Sequence, residues 1–187
     1  MLAAAQKALL VAAIATEVAQ SARLPYSHCR AMRSARAAGV RIAATKGKGA
    51  GAYATAPIAA GAFVAFYEGE TCTRAEAASR YWDGADATAA DVDWYRDRVR
   101  RRVPMTGDYL FDLGSTFVDA EDFHRSNWCR FMNDAKKGTL AANVDTRVDR
   151  AMPEARLAFF AVRDIAAGEE LQYSYGASYW DAAEPPR

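Results

Sequence analysis

Cysteine and histidine are scarce in this 187-residue chain, and what there is lies scattered: Cys29, Cys72, Cys129, His28 and His124. No Cys-x-x-Cys pair occurs, which argues against a zinc knot and against a disulfide framework, and suits a reducing compartment. No metal is expected. Charge of one sign is also lacking. A formal net charge of +1 provides no overall basic field, so free nucleic acid is not expected as the main partner. No apolar run approaches the ~18 residues that would cross a bilayer, and no membrane association is expected. No repeat of ~20–50 residues is visible.

What is present is a chain with 51% hydrophobic residues, long enough to bury one core and end in a short tail. Residues 1–22 are alanine-rich, with Leu9, Leu10, Val11, Ile14 and Val18 at roughly helical spacing. Two readings fit. One is an amphipathic helix packed on the domain; the other is a targeting segment, with an acid-poor flank and small residues near Ala19–Ala22. Residues 24–41 read as a basic connector.

Alternation and turn residues then place the strands. Val40–Ala44 and Ala52–Ala54 flank the glycine-rich Gly47-Lys48-Gly49-Ala50-Gly51. Strands are expected again over Ala62–Tyr67, Asp108–Leu113, Ser115–Asp119, Val144–Val148 and Ala155–Val162. The glycine loop lets backbone approach a ligand closely, but strand-like residues follow it, so it is neither a dinucleotide fingerprint nor a P-loop. Residues 73–106 differ in character. Alanines mixed with acids, then Arg96, Arg98, Arg100, Arg101 and Arg102, predict inserted helices broken at Gly84. The arginine run reads as a solvated helix face, or else as a docking edge for an acidic partner.

Four islands occur in order: Gly49-Ala50-Gly51 leading to Tyr67-Glu68-Gly69-Glu70; Tyr109-Leu110-Phe111-Asp112-Leu113 with Asp119-Ala120; Asn127 with Arg130-Phe131-Met132-Asn133; and Gly168-Glu169-Glu170-Leu171 with Tyr173-Ser174-Tyr175-Gly176. Together they resemble the SET-domain protein lysine methyltransferases over roughly residues 37–181, with residues 1–36 and 182–187 flanking. The resemblance implies a mainly β fold with short helices, the SET or β-clip fold: small curved sheets, a C-terminal pseudoknot and a helical insertion at 73–106. It implies a methyltransferase using S-adenosylmethionine on a lysine side chain, a histone tail being the leading substrate and the nucleus the leading location. An organellar, non-histone substrate is the alternative if residues 1–22 direct import.

By the same resemblance Lys48, Gly49, Ala50, Arg130, Phe131, Asn133, Asp134 and Tyr175 form the cofactor site. Tyr175, with Tyr67, is the catalytic pair. Tyr67, Phe111, Tyr173 and Tyr179, with Trp180 as a lid, line a channel for the substrate lysine. Such a channel suits the chemistry: in-line attack by a neutral amine on a sulfonium methyl needs orientation, dryness and π faces. Tyr109 and Phe117 read as core instead. A tyrosine at 173 leaves little room for added methyls, which implies mono- or dimethylation. Asp134-Ala135 stands where the family usually has His-Ser, placing a carboxylate beside the cofactor site with Lys136 or Arg130 as candidate partners. That change motivates a second reading, a SET-fold module binding peptide or cofactor without turnover.

Overall fold

The computed structural model describes residues 29–82, 88–135, 141–150, 154–176 and 179. It is built of small sheets with a few short helices, in two compact units: one on Glu68–Arg130, the other on Met32–Tyr67 together with the chain from Phe131 onward. Residues 1–22, Gly84 and Trp180 lie outside the described residues.

A first departure from expectation comes at once. Part of the supposed connector is a helix, α1 (Arg30–Ala37). Its apolar side is made only of small residues, Ala31 and Ala35, both buried. Alanine carries little hydropathic signal, so the i, i+4 spacing did not stand out among the arginines.

In the second unit β1 (Val40–Thr45) and β2 (Gly49–Ala54) form an antiparallel hairpin in which Thr45 faces Gly49 and Val40 faces Ala54. Gly47 and Gly49 both turn at positive φ, 76° and 74°, which the tight hairpin end needs and side-chain-bearing residues resist. β3 (Phe63–Phe66), β8 (Val144–Asp149) and β9 (Arg156–Ala161) form a sheet with β9 in the centre. The two-residue period of β9 buries Leu157, Phe159 and Ala161, while Phe160 on the other face is covered by Arg147, 4.6 Å from its ring centre. β7 (Asn133–Asp134) and β10 (Gln172–Tyr173) pair in parallel, Asn133 beside Gln172 and Asp134 beside Tyr173.

In the first unit β4 (Glu70–Thr73), β6 (Thr116–Asp119) and β5 (Leu110–Asp112) form an antiparallel sheet with β6 central. Leu110, Phe117, Cys72 and Ala77 pack together there. Cys72 is a core thiol whose pKa burial pushes up to about 11. The insertion supplies α2 (Arg74–Ala77), a π-turn over Ala78–Trp82 and α3 (Ala89–Arg101). Both α-helices begin with a reciprocal capping box, Thr73 with Glu76 and Thr88 with Asp91.

The arginine run is only in part the solvated face that the sequence suggests. Arg98 is completely buried, its guanidinium bound to Glu70 at 2.6 Å and Asp119 at 2.7 Å and stacked 4.3 Å from the Trp94 ring centre. Arg101 reaches the buried Asp122 at 2.5 Å and also Asp97. These charges clamp the insertion to the sheet of its own unit. Arg96 and Arg100, which pair along the helix, and Arg102 are the solvated ones.

Candidate functional site

The second unit brings together residues that lie more than a hundred positions apart. β7 is their centre. Parallel pairing with β10 is extended by the Ala135 N–H, which donates to the Tyr173 carbonyl at 2.8 Å. Beside it the segment Glu169–Leu171 runs along β2: the Ala54 N–H donates to the Glu169 carbonyl at 3.0 Å and the Leu171 N–H to the Ala52 carbonyl at 2.7 Å. The glycine hairpin, the Asn133-Asp134 pair and the closing Gly-Glu-Glu-Leu motif are thus one assembly of backbone ladders.

Asn143 fastens this assembly. Fully buried, it donates from Nδ2 to the Glu170 carbonyl at 2.8 Å and accepts the Gln172 N–H on Oδ1 at 2.9 Å. The resemblance marks it as the asparagine that the family carries after this loop, but its partners come only from the fold. Glu169 caps the turn before it, bound to Arg163 at 2.5 Å and to the Ala166 N–H at 3.0 Å. Its bond to Arg163 chiefly holds its carboxyl down at about 2.

Around β7 the polar groups fall into place. The Lys48 ammonium donates to the Asp134 backbone carbonyl at 2.7 Å, tying the hairpin end to β7. Asn133 donates from Nδ2 to the Ala50 carbonyl at 3.2 Å and to the Glu170 carboxylate at 2.8 Å. The Asp134 side chain does something the sequence did not suggest: its Oδ1 accepts the backbone N–H of Tyr175 at 2.8 Å. Lys136 lies outside the described residues. The Arg130 guanidinium is engaged in its own unit, donating to the carbonyls of Ala120 at 2.8 Å and Glu121 at 3.0 Å, 4.2 Å from the Tyr109 ring centre.

Tyr175 is held at both ends, for its hydroxyl donates to the Met132 carbonyl at 2.7 Å. It also belongs to a row of aromatic rings. From Tyr67 the centroids step 6.1 Å to Phe159, 5.0 Å to Tyr173, 4.9 Å to Tyr175 and 4.8 Å to Tyr179. Tilted and edge-to-face contacts of this kind stabilise one another and fix ring orientation. Tyr67 is set into the row by its own N–H, which donates to the Leu157 carbonyl at 2.8 Å. Phe159 was legible only as a strand residue; its place between Tyr67 and Tyr173 comes from β9 being the central strand. Phe131, buried, opens the second unit, whereas Phe111 sits on β5 of the first, opposite Val118. Among the described residues no group of three His, Cys, Asp or Glu side chains is arranged to hold a metal ion.

A family model described as SET domain matches residues 49–176. The chain is similar to the N-lysine methyltransferase KMT5A-A of Danio rerio, 27% identical over 141 residues that make up 74% of this chain and 35% of that protein. It is also similar to the histone-lysine N-methyltransferase SUVR5 of Arabidopsis thaliana, 28% identical over 150 residues, 79% of this chain and 10% of that protein. Among solved structures, a humanized mutant of the Chaetomium thermophilum Polycomb Repressive Complex 2 bound to the inhibitor GSK343 superposes with a TM-score of 0.52 at 28% identity, over 73% of this chain and 15% of that one. The chain spans about a third or less of the length of these curated relatives.

Proposed function

Because the chain belongs to the SET-domain lysine methyltransferase family, we propose that it transfers a methyl group from S-adenosylmethionine to a protein lysine, most readily on a histone tail in the nucleus. The observation that carries this reading is the aromatic row that runs through a doubly tethered Tyr175.

The residues fit the cofactor. Gly49 and Ala50 offer backbone near the hairpin end, with open space where a Gly49 side chain would stand, and Asn133 presents an amide within the same cluster. Lys48, Asp134 and Phe131 complete the assignment within this unit, and Arg130, from the other unit, belongs to it by motif. When bound, the cofactor supplies a methyl on a sulfonium: the amine lone pair forms the new C–N bond while the C–S electron pair returns to sulfur.

This chain's part is to prepare the amine. Aromatic walls at Tyr67, Tyr173 and Tyr179, with Phe111 and Trp180 assigned to the same channel by motif, exclude water and disfavour the ammonium form. The neutral amine is thereby made available, and the proton is lost to water. Tyr175 orients it. Tyr173, packed between Phe159 and Tyr175, narrows the row and favours mono- or dimethyl product.

The second reading, a module that binds without turnover, rested on Asp134 replacing the family's usual histidine. The bond from Tyr175 N–H to that carboxylate supports the enzyme instead, because the aspartate holds the strand that carries the catalytic tyrosine. The test is transfer of label from S-adenosylmethionine to core histones and to nucleosomes, beside Tyr175→Phe. Label on one histone, lost in the variant, is the expected result. No label on any protein, with no thermal shift from S-adenosylhomocysteine, would overturn the reading.

A further inference from the structure

Beneath the glycine hairpin lies a chain of polar side chains that the motif reading leaves without a role. The Tyr53 hydroxyl and the Thr45 hydroxyl are 2.7 Å apart, and Thr45 Oγ1 donates to Glu170 Oε1 at 3.1 Å. A carboxylate oxygen only accepts, so the Thr45 proton goes to Glu170 and Tyr53 donates to Thr45. The same Glu170 oxygen accepts from Asn133 Nδ2 at 2.8 Å, and Nδ2 gives its other proton to the Ala50 carbonyl at 3.2 Å.

This arrangement fixes which way the Asn133 amide faces. Turned over, its oxygen would meet the Ala50 carbonyl and the Glu170 carboxylate, three acceptors with no proton among them. As placed, both Nδ2 protons are consumed, and Oδ1 is left as the group Asn133 can offer a ligand; among the described residues it accepts no hydrogen bond. Gly51 makes the approach of Glu170 possible. A Cβ at that position would collide with the Glu170 carboxylate and the Thr45 hydroxyl.

We propose that Glu170 is a positioning residue that sets the polarity of the Asn133 amide, making the site an acceptor and selecting ligands that carry a donating ammonium group. With the carboxylate behind the amide, the preference has the same sign twice: an oriented carbonyl dipole in front and a negative charge behind it. This rests on the cofactor-site reading above, in which Asn133 holds the amino-acid end of the ligand, and adds to it only the positioning role of Glu170.

The experiment is calorimetric titration with two probes, S-adenosylhomocysteine and its desamino analogue, in which hydrogen replaces the α-amino group. The unaltered protein is expected to bind the first about tenfold to a hundredfold more tightly, the usual range for a hydrogen bond to a charged group. In Glu170→Ala only the Ala50 carbonyl still holds the Nδ2 edge of Asn133, and the preference is expected to fall at least about threefold, with affinity for the desamino probe held. Glu170→Gln, whose side-chain carbonyl still accepts from Thr45 and Asn133, is expected to restore most of it. Should the alanine variant not fold, Thr45→Val removes the hydroxyl that steadies Oε1 and is expected to lower the preference at least about threefold.

Equal weakening of both probes, or undiminished preference in the variants, would overturn the role given to Glu170 while leaving the cofactor site standing. Binding of neither probe by the unaltered protein would overturn the cofactor site, and this proposal with it.

Discussion

Replacing Asp134 with alanine removes the acceptor of the Tyr175 N–H and leaves the other tether, the Tyr175 hydroxyl on the Met132 carbonyl, in place. The Lys48 bond also survives, since it is made to the Asp134 backbone. A hydrogen bond to a charged group contributes about 1.5–3 kcal/mol net. Both residues are half-exposed, so water partly replaces the lost acceptor, and about 1 kcal/mol is the working figure. Expressed in the transition state, that is roughly a fivefold loss of kcat; expressed in stability, a melting temperature lower by about 2–4 °C. Steady-state methyl transfer at saturating substrate, with a thermal melt on the same sample, reads both. Cofactor KM is expected to move less than about threefold. Asp134→Asn keeps an acceptor oxygen without the charge and is expected to recover most of the rate. The reasoning would be refuted by an alanine variant equal to the parent in both readouts, or by an asparagine variant as impaired as alanine, which would make the charge and not the tether the operative feature.

Further outcomes follow from other parts of the structure. Arg98→Met leaves the buried Asp119 without its cation while Glu70 keeps Arg125, so a loss of about 3–5 kcal/mol is expected by urea unfolding, against no more than about 0.5 kcal/mol for the exposed Arg100→Ala. Gly51→Ala forces a Cβ into the Glu170 carboxylate and the Thr45 hydroxyl, and S-adenosylhomocysteine is expected to produce a smaller thermal shift than in the parent protein. Glu169 and Asp97 are both held at about 2 in the folded chain, by Arg163 and Arg101 respectively, below their ordinary values of 4.5 and 3.8. Their folded pKa values are depressed, so the stability they contribute is present above the unfolded values and is lost as pH falls from about 4.5 to about 2. Urea midpoints measured across that window should decline, and less steeply in Glu169→Gln.

The sequence by itself determined the family and seven of the ten described strands, the short β4, β7 and β10 going unread. Glycines at tight or crowded positions such as Gly49 and Gly51, two-residue alternation in β9, and aromatic residues closing the chain are local signals, and local signals survive in one dimension. The connector that is really α1 was missed because its buried side carries only small side chains, although its arginines segregate to the other side. Only the tertiary structure decided what the polar side chains do. Arg98 read as solvated until β4 and β6 supplied Glu70 and Asp119; Asp134 had Lys136 or Arg130 as candidate partners until the segment after β10 brought the Tyr175 amide to it. Glu170, Thr45 and Asn133 are separated by up to 125 positions, yet share one carboxylate oxygen. Hydrogen bonds are short and directional, so their partners are fixed by which strands lie side by side, and no periodicity along the chain encodes that.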